Sequence, residues 1–217
     1  MISKFYQKKN RFLVLPVLTA IALALSIIFS PVATAKLFDG PVDRLPLEQR
    51  VALRRGEVVF LGKDGDYTCR ILAKSSMDNA WQVLTDYEHF AEFLPGITSI
   101  KLIENSGDRK VFEQINKIKT LIFSVESRVQ IASTEFYPKK IAFEAVDGDL
   151  ETMNGKWTLE PVSPYPSASP DRVLIAHQVR VEPANALSDG IFFDIYESRL
   201  EETLMAIKQE IEKRSSQ

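Results

Sequence analysis

From Ile97 onward the chain alternates apolar and polar residues with a period of two, which is the pattern of half-buried β-strands. Strands are predicted at about 97–104, 109–119, 123–134, 140–147, 153–161 and 172–181, separated by "NSGD", "KTL", "YPKK", "DGDLE" and the Pro/Ser-rich "SPYPSASPD". Short links between successive strands favour an antiparallel meander. Upstream, "EVVFL" and "YTCRILA" read as two more strands around the Gly/Asp turn at 62–66. In the second of these, Tyr67, Cys69, Ile71 and Ala73 share one face, and Thr68, Arg70 and Leu72 the other.

Three stretches break the alternation. "PLEQRVALRRG" is a short helix, with Pro46 in its first turn and Gly56 just past its end. Residues 81–97, "WQVLTDYEHFAEFLPGI", place Val83, Tyr87, Phe90 and Leu94 three or four positions apart, a helical stripe. Ser75, Ser76 or Asp78 is positioned to cap its start, and Pro95-Gly96 ends it. The final stretch, "IFFDIYESRLEETLMAIKQEIEKR", is a long amphipathic helix. Its apolar face is Phe192, Ile195, Tyr196, Leu200, Leu204, Ile207 and Ile211, opposite Glu197, Glu201, Glu202, Lys208 and Glu212.

This order implies an α+β fold. A sheet with one apolar face must cover that face, and the terminal helix is the only element long enough. A strongly curved sheet wrapped round one helix leaves a gap near one end, so the helical stretch over 81–97 is expected to act as a lid. Phe123, Val125, Ser127, Val129 and Ile131 fall on one face of their strand. Ile141, Phe143 and Ala145, then Trp157 and Leu159, then Val173, Ile175, His177, Val179 and Val181, repeat the pattern. Ligand sites are mostly apolar with a few placed polar groups. The candidate lining set is accordingly Phe90 and Phe93 from the lid and Val125, Val129, Phe143, Trp157, His177 and Val179 from the sheet. Phe193, Tyr196 and Leu200 from the last helix complete it.

His177 is the most informative of these, because an unpaired polar group among buried valines costs ~1–3 kcal/mol. It is either a core histidine bonded to a neighbour such as a tyrosine or Ser127, or a hydrogen-bonding group for a ligand, with Tyr196 as companion. Asp147, Asp149 and Glu151 alternate superficially like part of a calcium loop, but the EF-hand glycine and distal glutamate are missing, and a solvated turn is expected. Cys69 reads as a small buried residue, His89 as an exposed one, and "PSASP" as a hairpin loop.

The ends of the chain change the picture of where this fold works. Lys4, Lys8, Lys9 and Arg11 precede an apolar run from Phe12 to Phe29, and Ala33 and Ala35 then form an A-x-A cleavage pattern. Residues 1–35 are expected to be a signal peptide cleaved after Ala35, with an uncleaved amino-terminal anchor as the alternative. Either places the rest outside the cytoplasm, in a periplasm or thylakoid lumen. Residues 36–56 read as an exposed leader with the short helix, 57–213 as one domain and 214–217 as a tail. With a single cysteine the domain has no internal disulfide and rests on its core, for which about 180 residues suffice. The 27 basic and 29 acidic side chains give a net charge of −2 without a basic stripe, which excludes a nucleic-acid binder.

The element order, with "AWQVLTDYEHFAEFLPGI", "VFEQIN", "GKWTLEP", "HQVRVEP" and the closing helix, resembles the START-like helix-grip superfamily, SRPBCC. Within it the chain is most similar to the polyketide cyclase/dehydrase and coenzyme Q-binding group, in its exported cyanobacterial form. The resemblance runs over about residues 57–213, and Trp81, Asp86-Tyr87, Phe90, Leu94 and Pro95 carry its opening motif. It implies a deep apolar cavity between the sheet and the last helix, used for lipids, quinones, sterols or polyketides, and makes a prenylquinone a candidate ligand. No cofactor or metal is implied. G-x-S-x-G, metal-ligand clusters and a nucleophile beside a base are all absent from the sequence. The first expectation is therefore a noncatalytic binder of a lipid or quinone, with transient membrane-surface contact. The second is a cyclase or dehydratase acting on a polyketide or isoprenoid-like substrate through His177 and Tyr196. The third is an interaction module whose cavity is filled by Phe143, Trp157 and Phe193.

Overall fold

The period-two segments pair as one eight-stranded antiparallel sheet in a computed structural model that describes residues 39–119, 124–184 and 189–216. The strands are β1 (Val59–Lys63), β2 (Asp66–Ala73), β3 (Ile97–Ser106), β4 (Arg109–Lys119), β5 (Ser124–Phe136), β6 (Lys140–Gly148), β7 (Leu150–Val162) and β8 (Arg172–Pro183). Their spatial order is β1-β2-β8-β7-β6-β5-β4-β3, so β3 to β8 form the expected meander and β8 returns to pair with β2. The β1–β2 link is a two-residue hairpin, with Asp64 at φ 54° and Gly65 at φ 97°, as a tight antiparallel turn requires.

The short helix α1 (Leu47–Arg54) precedes the sheet, and α2 (Met77–Thr85), a 3₁₀ turn at Tyr87–His89 and α3 (Phe90–Phe93) follow β2. The predicted lid is thus a broken helix. Ser76 is the residue that caps α2, its hydroxyl accepting from the Asn79 amide at 3.2 Å. The terminal helix α4 (Asp189–Ser215) lies across the inner face. Leu200, Leu204, Ile207 and Ile211 are buried with Cys69, Ile71, Val83, Ile175 and Val181 in the main core. Asn79 joins the lid to α4 by donating to the Ile211 carbonyl at 2.8 Å. A helix with one buried stripe on a single-faced sheet is the helix-grip arrangement.

One expectation is corrected. The described part of the predicted exposed leader, 39–45, is not exposed throughout, because Val42 is buried. Leu72, which shares its face with the polar Thr68 and Arg70, is buried as well. With Leu53 of α1, Val59, Val162 and Leu174 these residues form a second cluster, on the outer side of β1, β2, β7 and β8. At this end the sheet is covered on both faces. No helix among the described residues is long and apolar enough to cross a membrane. The predicted signal segment lies outside those residues.

Candidate functional site

The two halves of α4 are buried differently. From Leu200 on, the inward stripe is solvent-free, whereas Phe192, Phe193 and Tyr196 are half-buried. Opposite them on the sheet, Phe143, Leu150, Met153 and Trp157 also face inward and are half-buried, as are Phe90 and Phe93 of the lid. These side chains pack against the main core and stay partly exposed, so the sheet and the amino-terminal half of α4 meet there without being sealed from solvent, in place of the deep cavity the resemblance implies. Val129, Val179 and Leu200 of the predicted lining are core residues. The side chain of Val125 lies outside the described residues.

His177 is the polar centre of this face. The register pairs it with Trp157 on β7 and Cys69 on β2. Its imidazole stacks on Phe143 at 5.4 Å and packs on Trp157 at 3.9 Å between ring centroids. Only 5% of the residue is exposed, and its Nδ1 has no hydrogen-bond partner. Burial pushes the pKa down to about 3, so the ring is neutral at physiological pH.

Tyr196, expected as its companion, has different neighbours. It stacks on Tyr67 at 5.7 Å and on Phe192 at 5.9 Å, and burial raises its phenol pKa. Tyr67 itself was not among the predicted site residues, although its face was predicted correctly. Its hydroxyl donates to Glu197 Oε1 at 2.9 Å, and burial, reinforced by that carboxylate, raises its pKa to about 12. Phe193 turns toward the β1–β2 hairpin and reaches Gly65.

The remaining candidates have structural roles. Cys69 is fully buried, and burial drives its thiol up to about 12. Arg128 engages both Asp147, by an ion pair at 2.7 Å, and Asp149, whose carboxylate accepts from the Arg128 amide at 2.7 Å. His89 is exposed but bonds Asp86 at 2.5 Å, and Asp86 in turn accepts from Arg214 near the end of α4 at 2.8 Å. This joins the lid to the helix by charge. The open concavities among the described residues include two between or beside these elements. One, about 630 Å³, lies mainly over the solvated side of β2, β7 and β8, with Thr68, Arg70, Lys156 and Arg180 in its wall. The other, about 790 Å³, runs between α3 and α4 over Phe93, Leu94, Met205 and Ala206. Neither is lined by His177, Trp157 or Tyr196, and their openness and polarity make them surface grooves rather than the interior site.

Solved structures share this fold at low identity. The STAR-related lipid transfer protein (fragment 25–204) from Xanthomonas axonopodis superposes with a TM-score of 0.56 at 15% identity, over 71% of this chain and 92% of its own. The Zhui aromatase/cyclase from Streptomyces sp. R1128 gives 0.54 at 12%, over 74% and 94%. Human STARD10 gives 0.53 at 10%, over 72% and 69%. No curated protein matches at the level of sequence. Residues 74–208, from the end of β2 into the last helix, match one family across most of the described fold. The chain belongs to the family described as polyketide cyclase / dehydrase and lipid transport.

Proposed function

We propose that the protein binds an apolar small molecule, a lipid or prenylquinone, without converting it, in the cleft between the sheet and the amino-terminal half of α4. The observation that carries this reading is His177. It is a neutral imidazole, clasped by Phe143 and Trp157, whose Nδ1 is buried without a partner. Such an atom costs ~1–3 kcal/mol in the empty fold and recovers it against a ligand oxygen. The half-buried rings around it supply apolar contact on the same face. The catalytic alternative is less well supported, since a general base works best with a pKa near the working pH and His177 stands at about 3.

The basic start, apolar run and A-x-A pattern of residues 1–35 support export to a periplasm or thylakoid lumen, where exchange of such a ligand brings the protein transiently to a membrane surface. Organic extraction of the purified full-length protein followed by mass spectrometry tests the binding reading. A stoichiometric apolar compound, returned unchanged after incubation with the protein, is the expected result. A covalently altered product would give the assignment to the cyclase reading.

A further inference from the structure

The inner face of β5 carries polar groups that the binding reading leaves unused. Ser133 pairs with Phe143 and Glu135 with Ile141, so both point inward with those apolar residues. Tyr87 of the lid lies over the same region, stacked on Phe112 at 4.6 Å, and Phe112 is the strand partner of Ile131. Ser133 is 2% exposed and Tyr87 6%. The Tyr87 hydroxyl adjoins the Ser133 hydroxyl and the Glu135 carboxylate. These contacts are longer or less well aligned than a proper hydrogen bond: neither the Tyr87 hydroxyl nor Glu135 Oε1 closes one with a protein partner, although both atoms are buried. No ion pair among the described residues involves Glu135. Two adjacent orphaned atoms under the lid are unusual, because buried polar groups are paired in the great majority of cases.

The geometry points to a hydroxyl-recognition site at Tyr87, Ser133 and Glu135, which takes the alcohol or phenol end of an apolar ligand. This deepens the apolar-ligand reading and rests on it. The chemistry follows from donors and acceptors. A ligand hydroxyl donates to Glu135 Oε1 and accepts from the Tyr87 O–H, so both orphans are satisfied by one group. A carbonyl or ether only accepts, and leaves the carboxylate oxygen buried and unpaired. Phe90 and Phe143 pack against both this cluster and the main core that contains His177's neighbours, so the apolar surface is continuous between the two polar ends. For a redox-active prenyl ring the site selects the dihydroxy form over the dicarbonyl form.

The test uses the full-length protein and two rigid probes of nearly the same shape, 2-naphthol and 2-methoxynaphthalene, in titration calorimetry. A hydrogen bond to a charged acceptor sets the scale, so the wild type is expected to prefer 2-naphthol by about tenfold or more. Tyr87→Phe and Glu135→Leu should each reduce that preference to less than about threefold while affinity for 2-methoxynaphthalene holds. Thermal melts establish that each variant is folded, and Tyr87→Phe keeps the stack on Phe112. Equal affinity of the wild type for both probes overturns the hydroxyl site and leaves the apolar-ligand reading standing. A preference that survives both substitutions overturns it as well. Failure of the wild type to bind either probe sinks the apolar-ligand reading, and this site with it.

Discussion

His177 makes the stability of this fold depend on pH in a direction that can be worked out. In the folded chain burial lowers its pKa from 6.5 to about 3. The unfolded chain keeps the ordinary value, so between those two pH values the unfolded state holds a proton that the folded state refuses. The stability contributed by the neutral ring is fully present above the unfolded pKa and is lost as pH falls toward the folded one. Each pH unit inside the window costs ~1.4 kcal/mol, and the two titration curves integrate to ~2 kcal/mol between about pH 7 and about pH 5. The substitution to make is His177→Phe, which keeps a planar ring against Phe143 and Trp157 and removes the titration. Urea denaturation of both proteins at the two pH values reads the difference. The gap in stability between them should move by ~2 kcal/mol in favour of the variant as pH falls. His89, whose pKa is raised by its hydrogen bond to Asp86, titrates in both proteins and cancels. Parallel pH dependence would refute the reasoning, since it would mean that the folded state accommodates the imidazolium.

Two further perturbations test the frame of the site. A Cβ added at Gly155 would lie 2.1 Å from the Gln178 carbonyl oxygen and 2.7 Å from Phe143 Cζ. Gly155→Ala should therefore force β7 off β8 and cost about 3 kcal/mol in a thermal melt, and an unchanged midpoint would count against the β7–β8 register. Burial alone would raise the Asp86 pKa, but hydrogen bonds from His89 and Arg214 hold it below the ordinary range. Asp86→Asn should cost ~1 kcal/mol and speed amide exchange over 86–94; unchanged exchange there would show that the ion pair does not hold the lid.

The strands were legible because over most of their length they bury one face more than the other, so period two survives outside the doubly covered end, and the predicted ends fall within a few residues of the observed ones. The outer cluster was not. Leu72 sits alone among Thr68 and Arg70 on its face, and nothing local says that α1 and Val42 dock over it. Within the site, His177 was legible as one polar residue on an apolar face, while its stacking partners depend on cross-strand register. The alternation of β7 and β8 gives their faces, but pairing Trp157 with His177 needs the length taken up by the loop at 163–171. The neighbours of Tyr196, on the inward stripe as expected, were not legible for a different reason. A helical stripe gives a face about 100° wide, and the rotation within it that sets Tyr196 against Tyr67 comes from packing. Glu135 was lost at a boundary. The predicted strand stops at 134, before the "YPKK" break, whereas β5 continues to Phe136 and carries Glu135 inward.

The family description spans both transport and ring chemistry, and the two demand different things of the same cleft. Conversion needs a group that exchanges a proton near the working pH. Burial moves each inward titratable group of the cleft with a resolved shift away from that range, and always toward the neutral form. His177 falls to about 3, Cys69 and Tyr67 rise to about 12, and Tyr87 and Tyr196 are raised as well. At neutral pH these side chains hold one protonation state and offer hydrogen bonds from neutral groups, which suits selection of a ligand by the polarity of its ends. Two carboxylates also reach this region, Glu135 beneath the lid and Glu197 beside Tyr67. If conversion of an added ligand were observed, its loss in Glu135→Gln or Glu197→Gln but not in His177→Phe would identify the group responsible.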